Sequence, residues 1–231
     1  MLRELISILR SRDPLRDMAE NFTAMLRKAQ EAIMRAGDIY FEGTTDPKVR
    51  GRIYALDVEV NRLEREIRMQ VISHLSLGRS SSDLPYCLLL TSLVKDVERI
   101  GDYAKNLSEL SDFRKTPLPD DETVAELKEI RAGVESAFER LAGVFTESDK
   151  QSALEMIQHG KAMAQQCESL IRRIAMNDSY DACTVAVLVL GARFYKRIGG
   201  HVLNVLSSVV MPLHKVDYFD EDEIQKLEAQ G

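Results

Sequence analysis

The sequence is short of the residues that build cross-linked, membrane-spanning or nucleic-acid-binding proteins. Its 231 residues include three cysteines, six prolines and no tryptophan. Cys87, Cys167 and Cys183 are odd in number and contain no CxxC pair, which excludes a disulfide scaffold and a zinc ribbon. All three lie in apolar stretches and read as buried thiols of a reducing compartment. The longest apolar run, Ala182–Ala192, covers 11 residues, well short of the roughly 18 to 20 that a spanning helix needs. Basic charge is scarce as well: 31 Lys+Arg stand against 37 Asp+Glu, a net charge of -6. Phosphate backbones call for a basic face that releases counterions, so nucleic acid is an unsuitable partner. The opening stretch MLRELISILRSR carries Arg3 and Glu4 where a signal peptide needs an apolar core. It reads as a short amphipathic segment with Leu2, Ile6 and Leu9 on one side.

What is present is apolar content, 45% of the chain, in long stretches free of proline. Asp13-Pro14, Asp46-Pro47 and Asp83-Leu84-Pro85 each put a side-chain acceptor just before a proline in a first turn, where the missing N–H costs nothing. The pattern predicts an all-α protein with helices near 14–42, 46–77, 83–111, 121–145, 148–177 and 180–210. Short loops between helices of this length force antiparallel neighbours, and hence two tandem three-helix bundles. Residues 1–114 would form the first with its N-terminal segment, 115–120 the linker around Pro117-Leu118-Pro119, and 121–213 the second. From Val216 onward six acids face Lys226 alone, which places -5 of the net -6 in residues 216–231, and 214–231 reads as an acidic tail.

An internal repeat supports the division. Arg99-Ile100-Gly101 recurs as Arg197-Ile198-Gly199, with Asn106 matched by Asn204 and Asp83 by Asp181. LEREIR, Leu63 to Arg68, resembles CESLIRR, Cys167 to Arg173, which sets Glu64 opposite Glu168. A mid-helix glycine at the same point of both halves, Gly101 and Gly199, suggests close packing of a neighbouring helix.

The chemistry-bearing residues gather in the first half. Glu98, Asp102 and Asn106 are spaced i, i+4, i+8 and share one face of the third helix. Asp57, Asn61 and Glu64, at i, i+4, i+7, share a face of the second. If the two faces meet, four carboxylates and two amides offer oxygen ligands to Mg, Mn, Ca, Zn or Fe. The plainer reading is a pair of solvated faces partnered by Arg62, Arg65, Arg68 or Arg99. No histidine follows a glutamate by three residues, as a di-iron carboxylate bundle requires. The phosphate-loop, dinucleotide and nucleophile-elbow motifs are missing too, so no enzymatic activity is expected.

The segment Lys95-Asp96-Val97-Glu98-Arg99-Ile100-Gly101-Asp102-Tyr103-Ala104-Lys105-Asn106 resembles the most recognisable stretch of the PhoU family of phosphate-signalling regulators, which contains an E(D)xxxD motif. Asp57-Val58-Glu59-Val60-Asn61-Arg62-Leu63-Glu64 looks like its companion, and the likeness covers about residues 14–212. It implies a cytoplasmic, non-enzymatic adaptor of phosphate uptake that reaches the membrane only through its partners. Those partners would be the ATPase subunit of a phosphate ABC transporter and a sensor histidine kinase. It also implies a metal on Glu98, Asp102, Asp57 and Glu64, while the flat sides of two long bundles, with exposed apolar stripes, would suit a homodimer.

The second half departs from that pattern. Glu98 is answered by Lys196, Asp102 by Gly200 and Asp57 by Lys161, so no metal cluster is expected there, and Lys161, Lys196, Arg197 and His201 would suit an anion. Two alternatives stand beside the phosphate reading. One is an ion-responsive module of another transporter, and the other is a metal-free helical oligomerisation scaffold.

Overall fold

The computed structural model describes residues 13–43, 46–77, 81–114 and 116–217. The amphipathic segment before Asp13 and the acidic tail after Asp217 lie outside the described residues. Six long helices carry the fold: α1 Pro14–Glu42, α2 Pro47–Ser76, α3 Leu84–Glu109, α4 Glu122–Glu147, α5 Lys150–Ala175 and α6 Ala182–Val210. Each agrees with its expected span to within two residues, and no strand occurs among the described residues.

The helices start where acidic side chains satisfy first-turn amides that have no carbonyl partner. Asp13 accepts from the Arg16 N–H, Asp46 from Lys48, Asp121 from Val124, Asp149 from Ser152 and Asp181 from Thr184. Asp83 departs from the expectation. Its backbone is already helical, in a short 3-10 turn, and it makes no cap. Its carboxylate instead meets His74 Nε2 at 2.9 Å, tying the end of α2 to the start of α3. α1 ends at Gly43, whose φ of 72° is the left-handed conformation that glycine adopts without steric cost.

α1, α2 and α3 pack on one another, as do α4, α5 and α6, while α1 also touches α4 and α3 lies along α6. Because of those two cross-contacts, one continuous cluster of buried side chains runs through both halves. Phe22 of α1 meets Phe145 of α4 with ring centroids 4.9 Å apart. Tyr40 of α1 is wholly buried and donates to the Val187 carbonyl of α6. Arg131 of α4 reaches back to Asp38 at 2.5 Å and sits over the Phe41 ring.

The glycine expectation is corrected. A Cβ at Gly101 would meet Asp57 Oδ1 at 3.5 Å, and one at Gly199 would come no closer than 4.0 Å to any side chain, both ordinary contacts. Closer approaches lie elsewhere, among them Gly191, where the Tyr40 ring fills the space a Cβ would take, and Gly160, where Leu203 does. Cys87 and Cys167 are buried free thiols, and Cys183 is only partly covered, with its thiol against the Phe113 carbonyl.

Candidate functional site

The two carboxylate faces do meet along the groove between α2 and α3, but they meet through a cation. Lys105 of α3 places its ammonium 2.9 Å from Asp57 Oδ2 and 3.1 Å from Asp102 Oδ1. Burial works against the charged lysine, yet hydrogen bonds to both carboxylates outweigh it and hold the pKa above its ordinary value. Asn61 Nδ2 donates to Asp57 Oδ2 over 3.4 Å. The other carboxylate oxygen, Asp57 Oδ1, is buried and has no hydrogen-bond partner, on a residue only 7% exposed.

The remaining acids are held by cations of their own helix. Glu98 pairs with Lys95 at 2.8 Å, Glu64 with Arg68 at 2.9 Å, and Asp102 also with Arg99 at 3.4 Å. Asn106 is exposed. Among the described residues no three His, Cys, Asp or Glu side chains gather closely enough to hold a metal ion. Arg68 and Arg99 were foreseeable partners from their spacing. Lys105 was not: it stands i+3 from Asp102 and so was visible on the right face, but its reach to Asp57 depends on how α2 and α3 pack.

In the second half the same groove, between α5 and α6, is closed by opposite charges. Glu168, the counterpart of Glu64, pairs with Lys196, the counterpart of Glu98, and also with Arg193 at 3.2 Å. The hydrogen bond from Lys196 is the main reason the Glu168 carboxyl lies below its usual range. Lys161 is partly buried on α5. Arg197 is exposed, and His201 turns toward the first half, with Nδ1 2.8 Å from Asp96 Oδ1. Asn204 donates to the same oxygen at 2.7 Å. Asp96 is only 7% exposed, so α3 and α6 share one desolvated polar junction between the halves.

This duplicated all-helical architecture, with an acidic groove in one half and a charge-paired one in the other, defines a class that comparison with known proteins makes specific. Residues 15–111 match the family model described as PhoU domain. The phosphate-specific transport system accessory protein PhoU homolog of Xylella fastidiosa (strain Temecula1) is 26% identical over 202 residues, covering 85% of this chain and 79% of that protein. PhoU from Pseudomonas aeruginosa superposes with a TM-score of 0.77 at 21% identity, covering 87% of this chain and 97% of that one. The phosphate transport system regulatory protein PhoU of Streptococcus pneumoniae gives a TM-score of 0.75 at 18% identity, over 85% and 93% of the two chains. The likeness is thus of two kinds, a PhoU domain match over residues 15–111 and an overall fold shared with these PhoU structures.

Proposed function

We propose that this protein is a non-enzymatic accessory protein that regulates phosphate uptake and phosphate-dependent signalling from the cytoplasmic side, coupling a transporter ATPase subunit to a sensor histidine kinase. The observation that carries the reading is the PhoU domain match over residues 15–111, joined to a relative named for the phosphate-specific transport system. Among the described residues no helix is long and apolar enough to cross a membrane, and contact with the bilayer would come through those partners. Self-association into a dimer belongs to the same reading. α2 exposes two apolar side chains, Val58 and Ile72, at 63% and 65%.

The α2–α3 groove is the place for a divalent metal in this reading, with Asp57, Glu64, Glu98 and Asp102 as its holders. The supporting observation is Asp57 Oδ1, a buried carboxylate oxygen without a partner, the kind of atom whose desolvation is offset only by a cation or a donor. Lys105 already supplies one positive charge on the other oxygen. A metal would therefore bind in exchange with the ammonium, and metal occupancy and the position of Lys105 would be alternative states of one groove. A bound cation would supply charge neutralisation for carboxylates that otherwise repel.

The test is recovery of partners and metal from cells. Affinity purification from phosphate-replete cells is expected to bring down a transporter ATPase subunit or a histidine kinase, and recovery of neither overturns the adaptor reading. Protein purified without chelator is expected to contain metal that falls when Glu98→Ala and Asp102→Ala are combined. Metal content unchanged in the double variant overturns the site and leaves the adaptor reading standing.

A further inference from the structure

The outer face of α6 carries a second site, built of charges opposite to those of α3. Arg193, Lys196, Arg197 and His201 follow at i, i+3, i+4 and i+8, so one side of the helix presents all four. They line a pocket of about 360 Å³ completed by Gly200, Asn204 and Asp217. Gly200 stands where the first repeat has Asp102, and a Cβ there would meet nothing within 4 Å. The repeat thus replaces a carboxylate by open space at the centre of a cationic face.

The charges around this pocket come from four elements. α6 supplies the two arginines, the lysine and the imidazole. α5 supplies Glu168, which already pairs with Arg193 and Lys196. α3 supplies Asp96, whose oxygen takes the Nδ1 side of His201, and Tyr103, whose ring stacks on the imidazole with centroids 5.8 Å apart. The segment after α6 supplies Asp217, whose carboxyl is pushed up by burial and by Asp96. Arg197 has no ion-pair partner among the described residues, so its planar set of five donors is available. The pocket lining itself holds three cations against the single carboxylate Asp217, while Glu168 and Asp96 beside it bring the wider set into balance.

We propose that this pocket binds a phosphoryl-type tetrahedral oxyanion. Arg197 and Lys196 are the charged donors. Asp96 occupies the Nδ1 side of His201, so Nε2 is the imidazole nitrogen left to face a ligand. The pocket is independent of the adaptor reading, since neither partner contacts nor the α2–α3 groove enters the argument.

The test is isothermal titration of the full chain at constant ionic strength in chloride, with inorganic phosphate, sulfate and phenyl phosphate as separate probes. Saturable one-to-one binding of phosphate is expected, weakened about tenfold or more by Arg197→Gln and abolished by Gly200→Asp. The second variant has room to fold because nothing occupies the space beside Gly200. Tighter binding of phenyl phosphate than of phosphate identifies a phosphoryl group carried on a larger molecule, and the reverse identifies the free anion. No saturable binding by any probe, or equal affinity in the parent and in both Arg197→Gln and Gly200→Asp, overturns the proposal.

Discussion

Lys105 Nζ lies 2.9 Å from Asp57 Oδ2 across the α2–α3 groove, and this contact gives the partly buried acidic face of the PhoU-like repeat a cation from the facing helix. Replacing Lys105 by Met leaves Asp57, whose side chain is 9% exposed, without its counter-charge. Removing one partner of such a pair costs about 2 to 3 kcal/mol, toward the lower end for buried pairs because Lys105 retains some solvent contact. Urea unfolding of Lys105→Met is expected to show that loss, and Asp57→Asn combined with it should recover part. Added Mn²⁺ should raise the midpoint of Lys105→Met more than that of the parent.

Two glycines of α6 should respond to alanine in opposite directions. At Gly191 a methyl group collides with the buried Tyr40 ring, and overpacking of this sort costs about 1 to 3 kcal/mol, a fall in Tm of roughly 5 °C for a chain of this size. At Gly199 the nearest atoms are 4.0 Å away. Alanine there gains helix propensity of up to about 1 kcal/mol, and Tm should rise by a few degrees. Thermal unfolding followed by circular dichroism distinguishes the two.

The α3–α6 junction should show energetic coupling between the halves. Asp96→Ala and Asn204→Ala each leave a polar partner desolvated, and the double variant is expected to be less damaging than the sum by about 1 to 2 kcal/mol. Equilibrium unfolding of the four proteins in the cycle measures this. Additive losses would mean that the 2.7 Å contact does not hold in solution.

Acid should destabilise the fold through identifiable pairs. The hydrogen bond from Arg50 is the main cause holding the Asp112 carboxyl below its usual range, and that from Arg52 does the same for Glu31. A carboxylate whose folded pKa is depressed contributes stability that is present above its unfolded pKa and is lost as pH falls through the folded one. The urea midpoint is therefore expected to drop below about pH 4. In Arg50→Gln that drop should be smaller, because part of the contribution is already gone at neutral pH. Asp217 has the opposite sign: its raised pKa makes its ionised form unfavourable, so Asp217→Asn should gain stability at neutral pH and lose the advantage on acidification.

The helices were legible because their signals are local. An aspartate, a proline or a following serine or threonine lies within a turn of the end it marks, and the spans were accordingly recovered to within two residues. Asp83 shows the limit of that reading. Its sequence context matches Asp13 and Asp46, yet His74, nine residues earlier, competes for the carboxylate and wins. The alignment of Glu98 with Asp102 and of Asp57 with Glu64 was equally readable from helical spacing. Their cation was not, because Lys105 and Asp57 are 48 residues apart and meet only through the register of two packed helices. The Asp96 to His201 contact spans 105 residues and left no pattern in either helix alone. The glycine repeat misled because recurrence shows descent from a common unit, whereas the close approach depends on which side chain lies opposite, and only Gly191 has Tyr40 there.

Tyr40 seated on Gly191 bears on where this protein can be cut. The portion recognised by the family model, residues 15–111, ends before α4, yet its own α1 carries Tyr40, Phe22 and Asp38, whose partners lie on α6 and α4. A fragment trimmed to the recognisable portion would present those side chains to water. The stretch that the family model recognises is thus smaller than the stretch that must fold together, and a change in the second half is felt in the first.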